Sequence, residues 1–317
     1  MVIVLAWRLL TLVVSLFVSS LLVFGFMQVL PGDPARVALG VNASEEAVAR
    51  LRADFGLDQP LDARYVDWIG GLLRFDLGES YISRAPIGPQ LLDRLAVTGW
   101  LVGAAMIIAV VIALPIGTLM AVRHRHVSGL VLSALSQIGV AIPAFLAGLL
   151  LITLFAVHLG WLPANGWTPP ARDPVMFLRQ LVLPALSLGL VQGAVLSRYV
   201  RSAVLDVMRE DYVRTARAKG LGPMRALWRH GLRNAAIPVV TVLALQLATL
   251  LIGAVVVERV FVIPGLGSLL LDAVANRDLI VVQDVVMVLV LAVLLVNMLV
   301  DVLYSVIDPR LATGGRR

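Results

Sequence analysis

The sequence predicts an all-α, polytopic membrane protein with six transmembrane helices and a helical cap outside the membrane. Composition gives the first observation: 60% of the 317 residues are hydrophobic and 15% are charged, whereas a soluble domain carries about 25% charged residues. Second, several uncharged apolar runs reach the roughly 20 residues that span a bilayer as a helix. Third, the basic residues concentrate in the segments between these runs, as in polytopic membrane proteins.

Composition also excludes several classes of site. The chain has no cysteine, which excludes disulfides and thiolate chemistry. Four histidines, two of them within residues 123–126, argue against a metal centre. The arginines are spread over the loops rather than massed with aromatic residues on one face, which argues against nucleic-acid binding.

Six apolar runs are long enough to be spans. The first is preceded by a single basic residue, Arg8, and is too long for a cleaved signal peptide, so we predict that it is retained. Residues Val260–Leu271 are apolar but too few to cross, and Pro264, Gly265 and Gly267 interrupt them, which predicts a surface or re-entrant segment. The predicted spans are Leu9–Leu30, Leu95–Val122, Val127 to about Val157, Gln180–Ser197, Asn234–Val257 and Val285–Ile307.

These runs divide the chain into a first transmembrane helix (1–30), an extracytoplasmic helical loop (31–95) and a core of five helices (96–317) with a basic hairpin at 206–238. In the loop, Ser44 is a plausible N-cap and Gly56 a helix end. A second helix after Pro60 carries an apolar face. Both helices either pack on the membrane domain or dock a partner. The apolar face comprises Tyr65, Trp68, Ile69 and Leu72.

Orientation follows from the basic residues of the short loops. With both termini inside, the inner side holds fifteen basic residues and the short outer loops hold four. The long first loop is left out of this count because long loops cross regardless of charge. We therefore predict that both termini and the basic hairpin are cytoplasmic.

The polar and small residues inside the predicted spans can each be interpreted in two ways. Ala185, Gly189, Gly193 and Ser197 recur every four residues, which predicts close helix packing or a face of the pathway. An acid within a span, Asp301, is a functional candidate or a structural group near the interface. Three glutamines are candidate pathway residues, although interhelical hydrogen bonding explains them equally well. They are Gln137, Gln192 and Gln246.

The basic hairpin is the most basic segment of the chain. A helix over Glu210–Lys219 is predicted, with Gly220 and Gly222-Pro223 interrupting it, and a second helix over Met224–Leu232. Leu221, Met224, Leu227 and Trp228 provide apolar side chains. The residues alone fit a solvated basic loop or a docking element equally well.

A resemblance favours docking. The segment Asp211–Leu221, DYVRTARAKGL, resembles the cytoplasmic EAA loop of ABC importer permeases, above all those of the dipeptide/oligopeptide family. Arg214 and Thr215 stand where the wider superfamily has Glu-Ala, and Arg233 where it often has Pro, so that superfamily's Glu contact has no counterpart here. Further signatures similar to that family are Leu30–Ala35, Phe55–Leu61, Asp76–Ser80, Ile263–Gly267, Leu299–Tyr304 and Asp308–Arg310.

The resemblance implies a type I ABC importer permease fold and a B-type subunit. It further implies a C-type permease as a heterodimer partner, two ABC ATPase subunits below and an extracytoplasmic substrate-binding protein above. The residues expected to contact an ATPase are Asp211, Arg214, Thr215, Ala216, Arg217, Ala218, Gly220 and Leu221. Those expected to dock the binding protein are Pro264, Gly265, Leu266 and Gly267.

No bond chemistry is expected of this chain. Its one lysine, Lys219, is followed by Gly220, whereas a GxxxxGK[ST] loop has lysine before Ser or Thr, so ATP and Mg²⁺ would bind the separate ATPase subunits. Members of the family carry dipeptides, longer peptides, glutathione or nickel. The rival classes are an ATP-independent secondary transporter and a receptor or scaffold; a secondary transporter usually shows internal repeats and buried ionisable groups.

Overall fold

The computed structural model describes residues 2–29, 32–40 and 42–307. The described elements are helices, apart from one isolated antiparallel bridge between Glu79 and Pro86. The α-helices are α1 Val2–Val29, α2 Pro34–Leu39, α3 Glu45–Asp54, α4 Leu61–Leu73, α5 Ile87–Val122, α6 Val127–Ala141, α7 Ala144–Leu151, α8 Pro174–Met208, α9 Asp211–Ala218, α10 Pro223–Ala226, α11 Leu232–Val260, α12 Leu266–Ala275 and α13 Leu279–Ile307. Two π-helical segments, Ile152–His158 and Leu227–Gly231, follow α7 and α10.

Five of these helices are long and apolar enough to cross a membrane. A sixth crossing is made if α6 and α7 with its π-helical extension count as one span, although the two parts meet at 99°. The predicted span from Val127 to about Val157 is therefore bent rather than one straight helix. Pro143 explains the break, because proline lacks the amide proton and forces the preceding residue out of helical geometry; Ile142 has φ −86° and ψ 120°.

Two other spans are longer than their apolar cores. Helix α8 begins at Pro174, where the Asp173 side chain accepts hydrogen bonds from Val175 N and Met176 N, and it continues past Arg198 and Arg201 to Met208. Helix α13 begins at Leu279 rather than Val285. In both helices the ends carry polar residues, so hydropathy detects the apolar part while the backbone hydrogen bonds extend further.

The chain forms two compact units. One unit contains residues Val2–Thr98 and Pro264–Leu295, which hold the first span, the cap helices, α12 and the start of α13. In it the Ser44 hydroxyl accepts from Ala47 N at 3.3 Å, and Gly56 follows α3 with φ +67°. Tyr65 and Trp68 of α4 pack on Phe24 of α1, with ring centroids 5.3 and 6.1 Å apart.

The other unit contains Gly99–Ile263 and residues 296–307. Helix α8 lies at its centre and packs against α6, α7 and α11. The small-residue stripe of α8 is buried: a Cβ on Gly189 would lie 2.7 Å from Ile108 Cγ2 of α5, and one on Gly193 would lie 3.2 Å from Ile112 Cβ. The stripe therefore lets α5 approach α8 closely, which is the first of the two interpretations above.

Candidate functional site

The basic hairpin, residues 206–238, is built from α9, a glycine turn and α10. Helix α9 ends at Ala218, and Gly220 N donates to Arg217 O at 2.9 Å. Gly220 has φ +91°, a left-handed conformation that costs a residue with a side chain about 1–3 kcal/mol. Helix α10 then starts at Pro223, whose fixed φ suits a first helical position. The predicted first helix and its break at the glycines are confirmed. The second helix, predicted over Met224–Leu232, is instead the 4-residue α10, which continues through the π-helical segment Leu227–Gly231 into α11.

One face of α9 is part of the hydrophobic core of its unit. Val213 is fully buried and Ala216 is 7% exposed. Both belong to a cluster that includes Val204 of α8 and Ala235 of α11, and the partly buried Leu221 packs against it. Burying a valine side chain stabilises the packed state by about 1.5–3 kcal/mol, so α9 is held against the ends of two long helices.

A polar contact adds to this packing. Asn234 Nδ2 of α11 donates to the Tyr212 hydroxyl of α9 at 2.8 Å. Both side chains are partly open to solvent, so this hydrogen bond adds about 1 kcal/mol at most.

The opposite face of α9 is exposed and charged. Arg214 lies 3.6 Å from Asp211, with side-chain exposures of 68% and 97%, and such an open ion pair contributes little stability. Thr215, Arg217, Ala218 and Gly220 are exposed as well, and Trp228 is 66% exposed. The hairpin therefore exposes arginines and a tryptophan, and both residue types are enriched at protein interfaces.

The eight predicted contact residues thus divide between two faces. Ala216 and Leu221 point into the core and seat the helix, while the other six lie on the open side. Val213 was missed by the sequence reasoning. Its spacing of three from Ala216 was the available signal, because positions i and i+3 share one face of a helix.

The three candidate pathway glutamines have different surroundings. Gln192 of α8 and Gln246 of α11 are buried, and the Gln192 amide donates to the Gln246 side-chain oxygen. The side chain of Gln137 in α6 is exposed at the surface. The first two therefore join α8 to α11, and a pathway role for all three stays a prediction.

The predicted outer docking segment, Pro264–Gly267, forms the start of α12. Gly265 and Gly267 are buried, Leu266 is fully buried, and Leu266 N donates to Thr98 Oγ1 at 2.8 Å. Pro264 is partly exposed. Docking through this segment stays a prediction, but Leu266 contributes to the core rather than to a surface.

Two buried acids near α13 escaped the sequence reasoning. Asp278 accepts from Ser80 Oγ at 2.5 Å and from Tyr81 N at 3.1 Å, and Asp284 accepts from Trp68 Nε1 at 2.9 Å. These bonds fasten the cap loop and α4 to the start of α13. Burial raises the pKa of Tyr81 above its usual value, although Arg64 opposes the shift, so its hydroxyl is neutral at physiological pH.

Some predicted features lie wholly or partly outside the described residues. Leu30 and Pro31 of one signature and Asp308–Arg310 of another lie outside the described residues. Asp301 belongs to α13, but its side chain is not among those described. Both interpretations of Asp301 therefore stay open.

Comparison with known proteins covers almost the whole chain. Residues 113–313 match a family model described as "Binding-protein-dependent transport system inner membrane component", and residues 1–102 match the model of its N-terminal region. The glutathione transport system permease protein GsiC of Salmonella typhimurium is 42% identical over 305 residues, which are 95% of this chain and 96% of that protein. GsiC of Escherichia coli K12 is 41% identical with the same coverage.

The fold also has a solved counterpart. A chain of the MetNI methionine ABC transporter, described as inward facing, has a TM-score of 0.58 and 21% sequence identity. The match covers 69% of this chain and 96% of that one. At this identity the likeness shows a shared fold, that of a type I ABC importer permease.

Proposed function

The chain belongs to the family of binding-protein-dependent transport system inner membrane components, and we propose that it imports glutathione or related short peptides and that its basic hairpin receives the motion of an ATPase. Membership makes it the permease component of an ABC importer, a transport subunit of the inner membrane rather than an enzyme. Such a permease works with a paired permease, ATPases and a binding protein.

The packing of α9 carries the proposal about coupling. Val213 and Ala216 pack in the buried cluster that also contains residues of α8 and α11, while Arg214 and Arg217 remain open to a partner. A displacement of α9 by an ATPase would therefore be transmitted to two long helices without first loosening the core. We propose that closure of the ATPases on ATP tilts α8 and α11 and switches the pathway from inward-facing to outward-facing, a two-state equilibrium that both ATP and cargo bias.

The partners follow from the same proposal. The chain is the B-type subunit of a heterodimer with a C-type permease, above two ATPase subunits that hold ATP and Mg²⁺. Both termini and the basic hairpin are cytoplasmic, as the excess of fifteen over four basic residues in the short loops supports. The cap of residues 31–95 then lies on the outer side with the binding protein.

Glutathione leads among the candidate cargoes because the relatives at 41–42% identity are named for glutathione transport and align over nearly their full length. Dipeptides and longer peptides are the second candidate. Nickel is the third. Since the binding protein delivers the cargo, selectivity need not lie in this chain.

Reconstitution tests the proposal directly. The chain would be coexpressed with the C-type permease, the ATPases and the binding protein, purified and placed in proteoliposomes. We expect ATP-dependent accumulation of labelled glutathione, and competition by unlabelled glutathione but not by nickel. Accumulation of dipeptides alone would reject glutathione and leave the importer assignment intact.

A secondary transporter is the alternative that this assay separates. Uptake by the isolated chain, driven by an ion gradient and indifferent to ATP, would favour it. Failure of any ATPase to copurify with the chain would point the same way. An ATPase that binds wild type but not a hairpin variant would support the importer with this contact.

A further inference from the structure

The unit that contains the cap has a cavity with no assigned role. Its volume is about 360 Å³, at the lower end of the roughly 300–1,000 Å³ of small-molecule sites. It lies among α1, the end of α3, α4, residues 76–81 and the start of α13. The coupling mechanism proposed above does not use it.

Aromatic side chains form part of the cavity wall. Phe55 stacks on Tyr81 with ring centroids 4.4 Å apart, and Trp68 stacks on Phe24 at 6.1 Å. The ring of Phe55 already carries a cation, since the guanidinium carbon of Arg84 lies 4.5 Å from its centroid. Aromatic faces attract ammonium and guanidinium groups through their quadrupole.

The charged groups of the wall are mostly acidic. Three carboxylates, those of Asp54, Asp67 and Asp76, line the cavity with a single guanidinium, that of Arg64. Arg64 is partly engaged, because its Nη1 donates to Gln28 Oε1 at 3.1 Å. Asp76 accepts from Gly78 N at 3.1 Å, whereas Asp54 and Asp67 form neither an ion pair nor a hydrogen bond within the described part of the chain.

We propose that this cavity binds a compact organic cation, a guanidinium or primary ammonium group on a short apolar stem. The stem would lie against the aromatic wall, and the cation would face Asp54 and Asp67. With Arg84 beside Phe55 counted, three carboxylates face two guanidiniums, and this excess of one negative charge disfavours anions. The ligand is a free small molecule that reaches the cap from solution.

A matched pair of probes tests the charge requirement. N-acetylargininamide carries a guanidinium, and N-acetylcitrullinamide replaces it with a neutral urea of nearly the same shape. Each exposed carboxylate changes affinity for a cation by about twofold to fivefold. With the full chain in lipid nanodiscs and ligand-detected saturation-transfer NMR, we expect the guanidinium probe to bind at least about fivefold more tightly than the urea.

Variants locate the site. Asp54→Asn together with Asp67→Asn is expected to bring the two probes within about twofold of each other. Both residues are exposed, so the melting temperature of this variant should match wild type. The control is Asp62→Asn, which removes an exposed carboxylate of α4 that does not line the cavity, and it should keep the preference.

Three outcomes overturn the proposal. Equal binding of both probes by wild type removes the charge requirement. A preference that survives in the double variant places the cation elsewhere. If neither probe binds and the double variant instead weakens the complex with the binding protein, the cavity is a contact for that protein and not a small-molecule site.

Discussion

Replacing Val213 with alanine tests whether α9 moves as one body with α8 and α11. Val213 is fully buried in the cluster that joins these helices. Loss of two methyl groups costs about 2 kcal/mol, from roughly 0.8 kcal/mol per buried carbon and the cavity left behind. Because 1.4 kcal/mol corresponds to about a factor of ten, the fraction of molecules with α9 detached should rise roughly thirtyfold.

Two measurements on the assembled transporter report this change. Amide hydrogen exchange of α9 should be faster by up to about thirtyfold, since exchange follows the population of the locally open state. The ATP hydrolysed per molecule of cargo should rise, because a detached helix transmits less of the motion of the ATPase. ATP binding itself should be unaffected.

The control is Val131→Ala, the same change at an exposed position of α6, away from the basic hairpin. It should leave both exchange and the ATP requirement at wild-type values. If Val213→Ala and Val131→Ala behave alike, the rigid attachment of α9 plays no part in coupling. Faster exchange with an unchanged ATP requirement would separate the packing of α9 from its proposed role.

Three further variants address the exposed face, the glutamine pair and the α5–α8 packing. Reversing the charge at both Arg214 and Arg217 to Glu should leave membrane insertion intact but reduce cargo-stimulated ATP hydrolysis at least about tenfold, because charged contacts at an interface are worth several kcal/mol when reversed; ATPase and uptake assays measure it. Gln192→Leu should destabilise the chain by about 1–2 kcal/mol, because it leaves the buried amide of Gln246 without its partner. Changing both glutamines to Leu should recover most of that loss. Thermal unfolding in detergent measures the stability of both variants. Gly189→Val should destabilise by about 1–3 kcal/mol through overpacking, seen as a lower unfolding temperature.

Each of these has a control and an outcome that contradicts it. Charge reversal at Arg172, an exposed loop residue, should be silent, and an equal effect there would mean that charge alone matters. If the double Leu variant is stable but transports no cargo, the glutamines belong to the pathway after all. Leu190→Ala, on the exposed side of α8, should cost less than Gly189→Val; the reverse order would place the α5 contact elsewhere.

Local signals predicted much of the fold. The spans follow from apolar runs, and the end of α9 just before Gly220 follows from residues that break helices through their own backbone preferences. The break at Pro143 was equally local, and it was missed because hydropathy continues unchanged across it. The break was overlooked because the hydrophobic run was considered and the proline within it was not.

The site was less predictable. The basic hairpin was predicted, yet its buried face with Val213 and the contacts of Asp278 and Asp284 were not. Ser80 and Asp278 are 198 positions apart, and Trp68 and Asp284 are 216 apart, so no local pattern in the sequence connects them. When its hydrogen-bond partner is unknown, an acid close to the end of an apolar run is assigned to a loop.

The sequence by itself determined the membrane class, the transmembrane segments, the charge asymmetry and the helix–glycine–helix structure of residues 206–238, since each depends on residues that are neighbours along the chain. Only the tertiary structure decided which face of α9 is buried, that Gln192 bonds to Gln246 and that the stripe of α8 receives α5. It also decided that a cavity lies among α1, the cap helices and the start of α13. The physical reason is that burial and hydrogen bonding of a side chain depend on which helix packs against it. That choice is made by the whole set of competing contacts rather than by any local pattern.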